Sequence, residues 1–229
     1  TSSDRDWSSD VCSSDLPLYN GTESLEIGVA PAATLSKAAT RPAGTDKPIL
    51  FYGTSITHGG CASRPGMAYP SILGRRLDRP VINLGFSGNG KLDAEVGQLI
   101  AEVDAAVYVL DCVPNMSPDM VAERAEPFIT ALRAARPDTP IVLVENIAYQ
   151  AGGFLPASKA AYTDKNAALR AAYERLTGKG ITGLYYVPGE TLLGSDGEAT
   201  VDGTHPTDLG FQRMADAIEP ALRKALGKP

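Results

Sequence analysis

The chain has 229 residues, 43% of them hydrophobic, with a formal net charge of -6, which suffices for one well-buried α/β domain with a small appendage. It holds no apolar run long enough to span a bilayer and does not open on a charged-then-apolar leader, so neither membrane insertion nor secretion can be read from it. Lys and Arg form no cluster of the kind that phosphate backbones require, so nucleic acid is not an expected partner. With three Cys and two His there is no Cys-x-x-Cys pair and no spaced zinc set, so no metal or other cofactor is implied.

Residues 6–16, DWSSDVCSSDL, lack apolar periodicity and look like one translated frame of a sequencing adapter. A natural Ser/Asp-rich linker is the plainer reading, but the match runs through both Trp7 and Cys12. Residues 1–16 are therefore expected to add nothing to the fold. They hold Asp4, Asp6, Asp10, Asp15 and Arg5, so the remaining chain is only mildly acidic.

Asn20-Gly21 is a hairpin turn signal followed by Leu25, Ile27 and Val29 in strand alternation. Too little chain precedes that turn to supply its first strand, so residues 17–47 are expected to be the remnant of an upstream β domain plus a linker. Ala30 to Lys47, rich in Ala, Thr and Pro, carries no sustained period and reads as that linker.

From Pro48 the pattern changes to short apolar runs alternating with helical periodicity, the signature of a parallel sheet with crossover helices. Five strands are expected, over 49–52, 81–84, 105–110, 141–144 and 184–187. Val121, Ala125, Phe128, Leu132 and Ala135 recur at helical spacing. So do Tyr162, Leu169, Tyr173 and Leu176, and then Phe211, Met214, Ile218 and Leu222; these stripes read as core faces. An open sheet of this kind binds ligands beyond the carboxyl ends of its strands. Polar and glycine-rich segments gather there: Gly53-Thr54-Ser55-Ile56-Thr57, Asn83-Leu84-Gly85-Phe86-Ser87-Gly88-Asn89, Asp111-Cys112-Val113-Pro114-Asn115 and Asp202-Gly203-Thr204-His205-Pro206.

In this order, spread over residues 48–210, the four segments resemble the sequence blocks of the SGNH, or GDSL-like, hydrolase superfamily. GTSITHGGCASRPGMAYP and NLGFSGNGKLD are most similar to a bacterial branch in which a β domain precedes the hydrolase. The resemblance implies a three-layer α/β/α sandwich over 48–229, with a five-stranded parallel sheet in the flavodoxin-like order 2-1-3-4-5. It also implies a serine esterase that works through an acyl-enzyme, and it is compatible with a periplasmic or secreted protein.

Residue by residue, the resemblance makes Ser55 the nucleophile, His205 the general base and Asp202 the group that orients His205 and stabilises its imidazolium. A lone G-x-S reads more plainly as a helix N-cap, and Asp202-Gly203 as a turn leading to a capped helix; both can hold beside the chemical role. His58 is the rival base, but is expected to line the pocket with Asn89 and Met116. The oxyanion hole would be the backbone N–H groups of Ser55 and Gly88 and the side-chain amide of Asn115. Thr54 replaces the family's usual acid. Val113-Pro114-Asn115-Met116 replaces its Gly-x-Asn-Asp, stiffening that loop and dropping the acid.

If the first and third strands are neighbours, Cys61 and Cys112 could approach each other, though two free thiols are the default for such a pair. Cys61 has no base that would make it a rival nucleophile. Gly152-Gly153-Phe154 reads either as a mobile lid or as plain surface loop. The expected substrate is a short acyl ester, acetyl above all, on carbohydrate. An arylesterase or short-chain lipase is the alternative enzyme, and a non-catalytic binding domain or inactive fragment is the alternative of another class.

Overall fold

The computed structural model describes residues 18–227 except Thr22 and Ile27, so the expectation for residues 1–16 lies outside the described residues. Five strands, β1 (Ile49–Gly53), β2 (Val81–Gly85), β3 (Val107–Asp111), β4 (Ile141–Val144) and β5 (Leu184–Val187), form one sheet. Every pairing is parallel and the order is 2-1-3-4-5. Among the described residues six helices accompany them: α1 (Ser55–His58), α2 (Tyr69–Leu77), α3 (Ala94–Glu102), α4 (Pro118–Ala135), α5 (Pro156–Gly178) and α6 (Asp208–Ala225).

Strand side chains alternate between the two faces, so each face gathers its own core. Ile49, Phe51, Val107, Val109, Val142 and Val144 pack with Ile72 and Leu73 of α2 and Phe211, Met214 and Ile218 of α6. Leu50, Tyr52, Tyr108, Leu110, Ile141 and Leu143 pack with Ile100 of α3, Val121, Phe128 and Leu132 of α4, and Leu169 and Leu176 of α5. Strands β1, β3 and β4 are buried on both faces, which explains their unbroken apolar runs. The three helical stripes read from the sequence belong to α4, α5 and α6, where they supply core residues.

Among the described residues, none from 18 to 47 lies in a strand or helix. The expected strand through Leu25 and Val29 is not formed at either residue, in keeping with the marginal stability of a hairpin that has no third strand to pair with. Strand β1 sits between β2 and β3. The connections from β1 and β3 therefore diverge at its carboxyl end, opening the crevice in which this class of sheet binds ligands.

Candidate active site

Ser55 opens α1 directly after β1. The turn is tight because Gly53 has no side chain: a Cβ there would lie 1.9 Å from Thr57 Oγ1 and 2.7 Å from the Asp111 carbonyl. Thr54 is the N-cap. Its hydroxyl accepts from the Ile56 N–H at 3.2 Å, and its own N–H donates to Thr57 Oγ1 at 3.3 Å. This reciprocal cap is a use for threonine where the family's usual acid stands. As the first helical residue, Ser55 has no intrahelical acceptor for its N–H.

Ser55 Oγ lies 2.9 Å from His205 Nε2, and His205 Nδ1 lies 2.7 Å from Asp202 Oδ2. The other carboxylate oxygen, Asp202 Oδ1, accepts the His205 N–H at 2.7 Å and the Thr204 N–H at 2.9 Å. The main-chain and ring N–H groups of His205, with the Thr204 N–H, lower the Asp202 carboxyl to about 2, so it is a carboxylate at neutral pH. Gly203 takes φ 87° at the tip of this loop, a left-handed conformation that glycine adopts without strain. An antiparallel bridge between Thr200 and Pro206 closes the loop, and the Val201 N–H donates to the His205 carbonyl at 2.9 Å. Two further ties hold the neighbourhood. The Gln150 N–H donates to the Gly203 carbonyl at 3.1 Å, and Ser63 donates from N–H and hydroxyl to Asp208 at the start of α6.

Asn115 ends a short 3-10 turn, Val113–Asn115, after β3. With its amide turned so that Oδ1 faces the β2 loop, it accepts from the Gly88 and Asn89 N–H groups at 3.2 Å each. That orientation satisfies two donors, whereas the opposite one offers Nδ2 only the Phe86 carbonyl at 3.3 Å. Its Nδ2 then faces acceptors rather than those two donors. Gly88 has φ 74°, a left-handed conformation that glycine adopts without strain.

The three pocket-wall residues fare differently. Asn89 is exposed and bonded to the Ser87 carbonyl. Met116 is 2% exposed in the core beside α4 and α5, so its side chain is core rather than pocket wall. His58 donates from Nε2 to the Leu18 carbonyl, and its ring stacks on Tyr19 with centroids 4.1 Å apart. Ser55 Oγ is bonded to the other histidine. Cys61 and Cys112 are free thiols, the first exposed and the second buried, which agrees with the default for such a pair.

Sequence reasoning missed a polar cluster under α1. Asp111, at the end of β3, is 2% exposed, and its Oδ2 accepts from Thr57 Oγ1 at 3.0 Å and from Tyr69 Oη at 2.8 Å. Burial pushes its carboxyl up to about 7 against the lowering effect of those two hydrogen bonds. Burial beside Asp111 likewise pushes the Tyr69 hydroxyl well above its ordinary range. The available signal was an acid ending an otherwise apolar strand, at the position that pairs with Gly53 of β1.

A groove of about 710 Å³ between α3 and α4 is lined by residues such as Leu92, Phe128 and Leu132, and by none of Ser55, Asp202 or His205. Among the described residues no three His, Cys, Asp or Glu are grouped to hold a metal ion, and no helix is long and apolar enough to cross a membrane.

A GDSL-like lipase assigned in Bacteroides ovatus has a crystal structure that this chain resembles at 42% identity and a TM-score of 0.85, covering 93% of this chain and 62% of that one. The chain therefore spans less than two thirds of that protein's length. Two further solved structures share the fold at lower identity. A family two carbohydrate esterase from Clostridium thermocellum in complex with cellohexaose matches at 16% identity and TM-score 0.64, over 81% of this chain and 66% of that one. A two-domain esterase active on acetylated mannans matches at 21% and 0.61, over 82% of this chain and 51% of that one. No curated protein matches the chain. The sequence profile of the GDSL-like Lipase/Acylhydrolase family matches residues 46–223, and the chain belongs to that family.

Proposed function

We propose that this chain is a serine esterase that removes short acyl groups, acetyl above all, from carbohydrate hydroxyls. The observation that carries the reading is the continuous relay from Ser55 Oγ through the His205 ring to Asp202, at 2.9 and 2.7 Å. Ser55 Oγ attacks the ester carbonyl carbon and gives its proton to His205 Nε2. The bond from the carbonyl carbon to the alcohol oxygen then breaks, and His205 returns the proton to that oxygen. Water, deprotonated by the same nitrogen, repeats the sequence on the acyl-serine and releases the acid. Asp202 holds the ring in the tautomer with Nδ1 protonated and stabilises the imidazolium as it forms.

Negative charge on the former carbonyl oxygen would meet the Ser55 N–H and Asn115 Nδ2. The Gly88 N–H is the third donor; Asn115 Oδ1 is a long acceptor for it at 3.2 Å, and such bonds rearrange and tighten only around the reacting group. Short acyl groups are favoured because these walls are glycine-rich polar loops. Each buried methylene would contribute only about 0.8 kcal/mol to discrimination, and an open polar site buries few of them. Family membership and the likeness to carbohydrate esterases support the reaction class and the alcohol class respectively.

The test is kcat/KM over acetyl, butyryl, octanoyl and palmitoyl esters and acetylated xylan oligomers, beside Ser55→Ala, His205→Ala and Asp202→Asn. Acetyl esters and the oligomers should be cleaved best, the first two variants should be inactive, and the third should be strongly slowed. A rate rising to octanoyl or beyond with no acetate from the oligomers would favour a lipase. Activity surviving His205→Ala would remove the relay.

A further inference from the structure

Tyr19 precedes the region matched by the family profile, residues 46–223, yet it reaches the active-site loop. Its ring lies flat on His58, 10° from parallel, and 56% of the residue's surface is exposed. One face is therefore backed by the imidazole while the other is open. Gly60 stands between Tyr19 and the proposed base: a Cβ there would meet Tyr19 Oη at 3.0 Å and His205 Cδ2 at 3.6 Å. At Gly59 a Cβ would lie 2.6 Å from Leu18 Cδ1. The two consecutive glycines of the nucleophile loop thus leave room for the two residues that arrive from upstream.

Position around the reacting atoms decides what this ring would touch. The oxyanion donors Gly88 and Asn115 belong to the loops after β2 and β3. Tyr19 lies across Gly60 from His205, which must hand its proton to the departing alcohol oxygen, so groups on that side meet the alcohol half of the ester. We propose that Tyr19, supported by His58, is a specificity-determining platform on which a ring of the alcohol moiety stacks. An open aromatic face beside a polar centre suits a pyranose or an aryl ring, and has little to offer a short aliphatic alcohol. The inference rests on the esterase reading for its consequence in rate, but not for the stacking itself.

The experiment compares the parent chain with Tyr19→Ala and Tyr19→Trp on ethyl acetate, phenyl acetate and acetylated xylobiose. Tyr19→Ala should lower kcat/KM about tenfold for a ring-bearing ester, mainly through KM, and leave ethyl acetate within about twofold. Tyr19→Trp should keep the preference, and the phenyl and xylobiose arms separate an aryl from a sugar ligand. Equal loss on all three esters would mean that Tyr19 only props the loop, and no loss on any would mean that it does nothing; either overturns the proposal. Should the parent cleave none of the three, the esterase reading fails. The platform is then read by binding. Fluorescence of Tyr19→Trp, measured over the Trp7 background of the parent, should change saturably with phenol or xylohexaose and stay flat with ethanol. A flat response to both ring compounds overturns the platform by itself.

Discussion

Replacing Asp111 by Asn tests whether the polar cluster beneath Ser55 holds a carboxyl group that burial keeps protonated near neutrality. A raised pKa means that the folded chain holds a proton which the unfolded chain has already released. The stability associated with this group is therefore fully present below about pH 4, the ordinary aspartate value, and is lost as the pH rises through about 7. Raising the carboxyl from 3.8 to about 7 corresponds to about 4 kcal/mol at 1.36 kcal/mol per pH unit. Asparagine keeps the shape and still offers Oδ1 to the Thr57 and Tyr69 hydroxyls, but it is neutral at every pH. Its amide hydrogens need a new acceptor, at a cost of about 1–3 kcal/mol if none is found. Asp111→Asn should therefore be the less stable chain at pH 4 and gain on the parent up to pH 8, the difference between them moving by about 4 kcal/mol. Urea unfolding at half-unit pH steps, with unchanged m-values, measures this directly. A difference that stays constant from pH 4 to 8 would refute the reasoning, because it would mean that Asp111 titrates as an ordinary aspartate.

Gly53→Ala places a methyl 1.9 Å from Thr57 Oγ1 and 2.7 Å from a backbone carbonyl. It should cost at least about 1–3 kcal/mol in thermal or urea unfolding and displace α1, with ester hydrolysis falling by more than the unfolded fraction explains. Asn115→Ala should lower kcat about 10²–10³-fold with little change in KM, the mark of a donor that acts on the transition state. A pure KM effect in steady-state kinetics would instead make Asn115 a ground-state binding residue.

The sheet was legible because each strand carries its own apolar run, and the boundaries moved by only a few residues. Strand β3 begins at Val107 rather than Ala105 and ends on Asp111, since the register continues one step beyond the apolar run to pair Asp111 with Gly53. The long helices α4, α5 and α6 announced themselves through stripes facing the sheet. Helices α2 and α3 are nine residues each, too short for a repeating stripe to stand out. The relay among Ser55, His205 and Asp202 could be expected from the order of the blocks. Asp111, Thr57 and Tyr69 meet only because β3 pairs with β1, and no local pattern encodes a contact made by strand pairing and helix packing.

The two histidines show why spacing alone misleads. His58 is three residues from Ser55 and His205 is 150 away, yet it is His205 that meets Ser55 Oγ. In a helix of one turn that starts at Ser55, the Ser55 side chain meets His205, while the last residue, His58, is held by the Leu18 carbonyl and the Tyr19 ring. His205 comes instead from a loop shaped by its own carboxylate. Asp202 takes up the main-chain N–H of His205 with one oxygen and its ring nitrogen with the other, so a spacing of three lets one acid both build the turn and orient the ring. That double use also limits what mutation can separate. Asp202→Asn should disturb the loop together with the tautomer, whereas the hydrogen bonds of the relay do not include Tyr19, so a change there should leave them in place.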